Sequence, residues 1–134
     1  MKILLADDSD LILERLSEIL VANKQLEIVA SLKNGTDTLN ALRTLKPDIA
    51  IIDIRMPGLN GIEVLTEIKK EDSDTKFIIL SFYPSDHYQK LANHAGADYF
   101  FNKADEFDRV ILAVNDIISN SKNDAQNGRH EINS

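Results

Sequence analysis

The chain has 134 residues, of which 43% are apolar and 28% charged, and its formal net charge is -7. This length is enough for a single domain with a core of its own. No cysteine is present, which excludes disulfides, thiolate metal sites and cysteine nucleophiles. The excess of acidic residues argues against a nucleic-acid surface, because neutralising phosphates requires clustered lysine and arginine.

The amino terminus and the apolar runs of the chain bear on its location. Acidic residues begin at Asp7, which is too early for the apolar region of a signal peptide. No later apolar run is long enough to cross a bilayer. We therefore expect a cytoplasmic protein without membrane contact.

Strand patterns alternate with helical patterns along the chain. Short apolar runs predict five strands: Lys2–Ala6, Leu26–Ala30, Asp48–Asp53, Phe77–Leu80 and Asp98–Phe101. Apolar residues at helical spacing predict a helix after each strand. The first two helices contain Leu11 and Leu39, and the other three begin near Gly61, Tyr88 and Glu106. This alternation indicates right-handed βαβ units. The predicted fold is therefore α/β, a doubly wound parallel sheet of five strands flanked by five helices.

These elements predict one domain over residues 1–118. Residues 119–134 are polar and contain few apolar side chains. We interpret them as a C-terminal tail, either a frayed helix end or a disordered extension, or as the start of a linker.

The third predicted strand is the most informative segment. Its residues 49–52 are all apolar, and a Pro-Gly loop follows shortly after it, which is typical of a strand buried on both faces. Asp53 stands where this strand ends, and ligands of open α/β sheets bind at the carboxyl ends of strands. Taken alone, Asp53 could mark such a site or simply cap the turn.

Polar side chains also end the other strands. Asp7 and Asp8 follow the first strand, Ser81 the fourth and Lys103 the fifth, and in a parallel sheet these ends share one edge. Three carboxylates this close require a cation, and oxygen ligands alone favour Mg²⁺ before Ca²⁺ or Mn²⁺. One carboxylate could then act as a nucleophile toward phosphorus and form an aspartyl phosphate. The hydroxyl and the ammonium would contact the phosphoryl oxygens.

This set of motifs resembles the receiver domain of two-component response regulators, the CheY-like family, over residues 1–118. The motifs that carry the resemblance are Leu5–Ser9, Ile52–Pro57 with Gly61, Leu80–Ser81 and Gly96–Lys103. The resemblance implies a flavodoxin-like sheet with the strand order 2-1-3-4-5.

The resemblance also implies roles for individual residues. Asp53 would take a phosphoryl group from a sensor histidine kinase or a phosphotransfer protein. Asp8 would bind Mg²⁺ directly and Asp7 mainly through water, with Asp53 and the Arg55 backbone carbonyl completing the protein ligands. The catalytic group so implied is Asp53, Lys103 and Ser81. Ser81 and Phe100 would form a switch pair, in which the hydroxyl moves toward the phosphate and the ring turns inward behind it.

Two interpretations of the function follow. The first is a phosphorylation-controlled interaction module, not an enzyme, whose phosphorylated form could bind an unknown output protein or form a homodimer. The second is the regulatory half of a DNA-binding transcription factor that has been cut off at residue 134. The chain itself shows no helix-turn-helix pattern, so we expect it not to bind DNA.

Two residues depart from the family pattern. Ala104 follows Lys103, where most members have a proline, usually after a cis bond. A cis bond before a residue other than proline costs about 3 kcal/mol. The bond between Lys103 and Ala104 could therefore be trans, and Lys103 could then occupy a different position. Phe82 follows Ser81, where a small residue is usual. Its ring either covers the mouth of the site or packs beneath the next helix.

Overall fold

The computed structural model describes residues 1–82 and 86–133, with side chains described as far as Ser121. Within this part, five strands and five helices alternate. In chain order they are β1 (Lys2–Ala6), α1 (Asp10–Val21), β2 (Glu27–Leu32), α2 (Gly35–Leu45), β3 (Ile49–Asp53), α3 (Gly61–Lys69), β4 (Lys76–Ser81), α4 (Asp86–Ala95), β5 (Tyr99–Asn102) and α5 (Phe107–Asn133).

The strands form one parallel sheet in the order β2-β1-β3-β4-β5. This confirms the predicted doubly wound α/β fold and the flavodoxin-like order. β3 lies at the centre, where Ile51 pairs with Leu5 of β1 and with Ile78 of β4. Because all five strands point the same way, their carboxyl ends meet at one edge of the sheet.

The core consists of two apolar layers, one on each face of the sheet. Alternate residues of the inner strands point to opposite faces. Ile51 of β3 faces the layer formed with α1 and α5, whereas its neighbour Ile52 faces the layer formed with α2, α3 and α4. Burial on both sides explains why β3 has no polar residue before Asp53.

Some element boundaries differ from the prediction. β2 runs to Leu32 rather than Ala30, because the end of β1 continues the ladder and Ala6 pairs with Leu32. β5 begins at Tyr99 rather than at Asp98, whose side chain accepts a 2.8 Å hydrogen bond from the Phe77 amide. The backbone of α5 remains helical beyond residue 119. The division at residue 118 and the interpretation of residues 119–134 as a tail or linker stay predictions.

Helix capping fixes the loops beside the carboxyl edge. Ser9 caps α1 by accepting a hydrogen bond from the Ile12 amide. Asn60 and Glu63 form a reciprocal capping box at the start of α3. Asn34 caps α2 by accepting a hydrogen bond from the Asp37 amide. Each cap therefore ends a loop that leaves the carboxyl edge.

None of the helices in the described part of the chain combines the length and apolar character that a bilayer-spanning segment needs.

The amino-terminal edge of the sheet contains a buried hydrogen bond whose loss should be measurable. The Thr75 hydroxyl donates to the Pro47 carbonyl at 2.6 Å, which joins the segments that enter β3 and β4. Thr75→Val keeps the shape but leaves a buried carbonyl without this donor, so we expect the free energy of unfolding to fall by about 1–3 kcal/mol. Urea denaturation measures this loss.

Thr44→Val is the matched control. Its hydroxyl donates to the Asn40 carbonyl at 2.9 Å on the exposed side of α2, where water can replace the bond. We expect a change within about 0.5 kcal/mol there. Equal losses in the two variants would contradict the importance of burial at Thr75.

Candidate functional site

Four predicted site residues lie together at the carboxyl edge of the sheet. Asp7 directly follows β1, Asp53 ends β3, Ser81 ends β4, and Lys103 directly follows β5. All four are buried, with exposed fractions of 0% for Asp7 and 4% for both Asp53 and Lys103. Asp8 is exposed beside them. The parallel register that aligns β1, β3, β4 and β5 is what brings these distant residues to one place.

Lys103 joins the two buried carboxylates. Its Nζ lies 2.6 Å from Asp7 Oδ2 and 3.2 Å from Asp53 Oδ2. A buried ammonium is tolerated when it is paired and hydrogen-bonded, as it is here. The peptide bond to Ala104 is trans, since the described residues contain no cis peptide bond. The departure from the family's proline therefore does not move Lys103 away from Asp53.

Asp7 is held on both sides. Its Oδ2 accepts from Lys103, and its Oδ1 accepts a 2.9 Å hydrogen bond from the Ser9 amide. Burial nevertheless raises the pKa of Asp7, and the hydrogen bond from Lys103 opposes this rise. The position of this carboxylate is thus fixed before any ligand binds.

The Asp53 carboxyl has a strongly raised pKa. Burial, and next the negative charge of Asp7, raise this pKa to about 6. The charge of Lys103 and a hydrogen bond from the Arg55 backbone act against this rise. One lysine cannot neutralise two buried carboxylates, so the site retains an affinity for additional positive charge.

The acidic cluster fits a hard divalent cation. One carboxylate oxygen from each of Asp7, Asp8 and Asp53 can be chosen so that all three lie within 4.8 Å of one another. The donors are oxygen atoms, which Mg²⁺ prefers. Asp7 already accepts two hydrogen bonds, whereas Asp8 is open to solvent. This difference favours Asp8 as the direct ligand and Asp7 as one that acts through water.

A small surface pocket gives access to this cluster. Its volume is about 250 Å³. It is lined by Asp8, Ser9, Asp53, Arg55, Ser81, Phe82 and Lys103. Phosphoryl-sized ligands could therefore reach Asp53, Ser81 and Lys103 from one side, and Arg55, whose backbone carbonyl is a predicted ligand, lines the same pocket.

The loop after Asp53 is held against its surroundings by glycines. The Gly61 amide donates to the Ile54 carbonyl at 2.8 Å, and a Cβ on Gly61 would lie 2.3 Å from the Asp53 carbonyl oxygen. The Gly35 amide donates to the Pro57 carbonyl at 3.0 Å, linking α2 to the same loop. Gly61 was part of the recognised motif, but the contact of Gly35 had no signal in the sequence beyond an Asn-Gly pair.

The three aromatic residues of β5 alternate between the two faces of the sheet. Tyr99 and Phe101 pack toward the layer of α1 and α5, with ring centroids 6.0 Å apart, and the Tyr99 hydroxyl donates to Asp116. Phe100 packs against the layer that contains α4 and is only partly buried. Phe100 is thus the ring on the α4 side of the sheet, and its role in a switch pair stays a prediction.

The sequence left the direction of Phe82 open. Its ring lies over Lys103, with Nζ 4.6 Å from the ring centroid, and it lines the pocket. Half of this residue is exposed, so it does not pack in the core.

The raised pKa of Asp53 predicts a pH-dependent stability. Between about pH 4 and 6 the unfolded chain loses this proton before the folded protein does, so the free energy of unfolding falls as pH rises through this window. Asp53→Asn should remove this penalty. Without divalent ions, we expect the variant to gain on the order of 2–3 kcal/mol near neutral pH, since one pKa unit corresponds to about 1.4 kcal/mol.

Denaturation over a pH series with chelator measures this gain, which should disappear below about pH 4. Asp105→Asn, at an exposed position, is the control and should show no such dependence. A gain at Asp53 that stays constant over the whole series would contradict the electrostatic explanation.

Relatives in sequence agree with this arrangement. A sequence profile described as the response regulator receiver domain matches residues 3–115. The DNA-binding transcriptional activator EvgA of Escherichia coli K12 is 35% identical over 85% of this chain and 55% of its own length. The response regulator GacA of Pseudomonas aeruginosa is 26% identical over 90% of this chain and 56% of its own length. The chain thus spans about half the length of these curated relatives.

Solved structures agree as well. A DNA-binding response regulator of the LuxR family from Staphylococcus aureus superposes with a TM-score of 0.81 at 26% identity, covering 87% of this chain and 97% of that one. The response regulator domain of Thermotoga maritima CheB gives 0.78 at 28% identity, covering 89% and 94%. Together with the profile match over most of the chain, these likenesses lead to one conclusion: the chain belongs to the response regulator receiver domain family.

Proposed function

We propose that Asp53 is the phosphoacceptor of this receiver domain in a two-component phosphorelay. The observation that carries the proposal is the buried Asp53 carboxylate, paired with Lys103 at 3.2 Å and reached through a pocket that Ser81 also lines. In the transfer, an Asp53 oxygen attacks phosphorus, and the bond from phosphorus to the donor's histidine nitrogen breaks. The nitrogen keeps the electron pair, and Asp53 becomes an acyl phosphate.

Residues of the same site would hold Mg²⁺. We assign Asp8 as a direct ligand, Asp7 as a ligand mainly through water, and Asp53 and the Arg55 carbonyl as the remaining protein ligands. When bound, the ion supplies positive charge next to the phosphoryl oxygens. Its charge also favours the ionised form of Asp53, which is the form that can attack phosphorus.

Lys103 and Ser81 act on the phosphoryl group. Lys103 already contacts the Asp53 oxygen at 3.2 Å, so its ammonium can follow the charge that moves from the carboxylate to the phosphoryl oxygens. Asp7 keeps the ammonium in place at 2.6 Å during this change. The Ser81 hydroxyl, at the end of β4, provides a hydrogen-bond donor for a second oxygen.

The response to phosphorylation would pass through Ser81 and Phe100. Ser81 lines the phosphoryl pocket, and Phe100 lies on the neighbouring strand, on the side of α4. A shift of the hydroxyl toward the phosphate would leave space behind it, into which the half-buried ring can turn. This movement alters the surface around α4 and β5, where an output protein could bind.

This domain works as a signalling module, and we infer that it has no substrate turnover beyond slow loss of its own phosphate. Its expected partners are a sensor histidine kinase or a phosphotransfer protein, and an output protein. A homodimer formed on phosphorylation and a cytoplasmic location stay predictions from the sequence.

The second candidate is the regulatory half of a DNA-binding transcription factor. Its support comes from relatives such as EvgA, whose name describes DNA binding. All described elements of this chain form the receiver sheet and its flanking helices, which both candidates contain, so the proposed role of Asp53 is the same in either case.

Chemical phosphorylation tests the assignment of Asp53. Incubation with acetyl phosphate and Mg²⁺ should add a single phosphoryl group, because among the described side chains only this carboxylate combines burial with contact to Lys103 and access through the pocket. Mass spectrometry of the intact protein detects the added mass. Asp53→Asn should not be labelled, whereas the exposed Asp105→Asn should label normally. Labelling that persists in Asp53→Asn would contradict the assignment of Asp53 as the phosphoacceptor.

Metal binding should stabilise the folded protein by mass action. We expect millimolar Mg²⁺ to raise the melting temperature relative to chelator, as measured by circular dichroism. Asp8→Ala should abolish this shift and Asp7→Ala should weaken it, because the first would bind directly and the second through water. Asp10→Ala, at an exposed aspartate of α1, should keep the shift. Identical melting of the parent in Mg²⁺ and chelator would rule out a metal site in the acidic cluster.

A further inference from the structure

Phe82 occupies an unusual position for a large apolar side chain. It directly follows Ser81, and half of it is exposed to solvent. Burial contributes to stability in proportion to the apolar area removed from water, so a half-exposed ring gains much less than a core residue. Core packing therefore does not account for where this ring lies.

The contact with Lys103 does account for it. The Lys103 ammonium lies 4.6 Å from the ring centroid, within the range in which the electron-rich face of an aromatic ring attracts a cation. On its other sides the ammonium contacts the carboxylates of Asp7 and Asp53. The ring is thus anchored by a charge that is itself fixed by two buried partners.

The anchored ring lies beside the reactive groups. Phe82 and Asp53 line the same pocket of about 250 Å³. The side chains of Lys103 and Asp53 are only 2% and 5% exposed, although the pocket opens at the surface. A large side chain held at this place restricts the approach of water and small molecules to Asp53.

We propose that Phe82, held over the Lys103 ammonium, covers the phosphoacceptor and determines which phosphodonors reach it. This inference rests on the proposed role of Asp53. Phe82 is a positioning residue, since it touches Lys103 rather than the phosphoryl group. The cover slows small phosphodonors and water alike. A phosphohistidine presented by a protein can use the binding energy of the surrounding interface to displace the ring, so the site favours protein donors.

Both reactions affected by the cover occur at the same phosphorus atom. In labelling by acetyl phosphate, an Asp53 oxygen attacks phosphorus, the bond to the acetyl oxygen breaks, and acetate leaves with the electron pair. In phosphate loss, water attacks phosphorus and gives up a proton to solvent. The bond to the Asp53 oxygen breaks, and the carboxylate and inorganic phosphate are released. Each reaction needs a molecule from solvent to reach the site that the ring covers.

Three substitutions separate the ring face from the bulk of the side chain. Phe82→Ala removes both, Phe82→Leu keeps most of the bulk but loses the aromatic face, and Phe82→Tyr keeps both. We expect Phe82→Ala to accelerate acetyl-phosphate labelling and phosphate loss about three- to tenfold, the range expected when a partly desolvated cation–π contact is broken. Phe82→Leu should shift both rates in the same direction, and Phe82→Tyr should match the parent.

Labelling is followed by mass spectrometry in the presence of acetyl phosphate, and phosphate loss is followed after the donor has been removed. The thermal melting of each variant is measured alongside. Leu112→Ala, which truncates an exposed apolar side chain of α5, is the control and should leave both rates unchanged. A residue with only a structural role would lower the melting temperature without accelerating either reaction.

The outcomes are distinct from those that test Asp53. Unchanged or slower labelling in Phe82→Ala would overturn the cover while Asp53 stays the phosphoacceptor. Parent-like rates in Phe82→Leu would overturn the role of the contact with Lys103. If Asp53→Asn is labelled as well as the parent, the phosphoacceptor assignment fails instead.

Discussion

The buried ion cluster of Asp7, Asp53 and Lys103 is the constraint on which the rest of this structure depends. Burial raises the pKa of both carboxyls, the negative charge of Asp7 also raises that of Asp53, and the lysine between them offsets only part of that cost. A fold selected for stability alone would not place these charges there. The cluster instead leaves negative charge that one lysine does not balance, and this suits it to hold a divalent cation beside Asp53.

The surrounding architecture serves to keep this cluster rigid. β3 is buried on both faces, so Asp53 cannot move without disturbing both layers of the core. Gly61 packs directly against the Asp53 carbonyl, and Gly35 connects α2 to the loop that follows it. Such close backbone contacts hold the loop after Asp53 in one geometry. The movements that we propose involve only side chains at the edge, those of Ser81, Phe82 and Phe100.

The sequence alone determined the architecture and the membership of the site. Continuous apolar strands alternating with amphipathic helices specify a doubly wound sheet, because the two periodicities are local properties of the chain. The acidic pair after β1, Asp53 after a buried strand, and the hydroxyl and ammonium after β4 and β5 then share one edge by topology. Strand and helix ends were less well predicted, since Leu32 is in β2 only because Ala6 pairs with it.

The tertiary structure decided how the side chains of the site are used. Lys103 and Asp7 are 96 residues apart, so their 2.6 Å contact, and the placement of Lys103 despite Ala104, could not be read from local pattern. The same holds for Phe82, whose ring lies over the ammonium of Lys103, directly after β5. It also holds for Phe100, because the pleat of the sheet decides that its ring faces α4. Local periodicity fixes which residues come together, whereas their orientation depends on charges and packing contributed by distant segments.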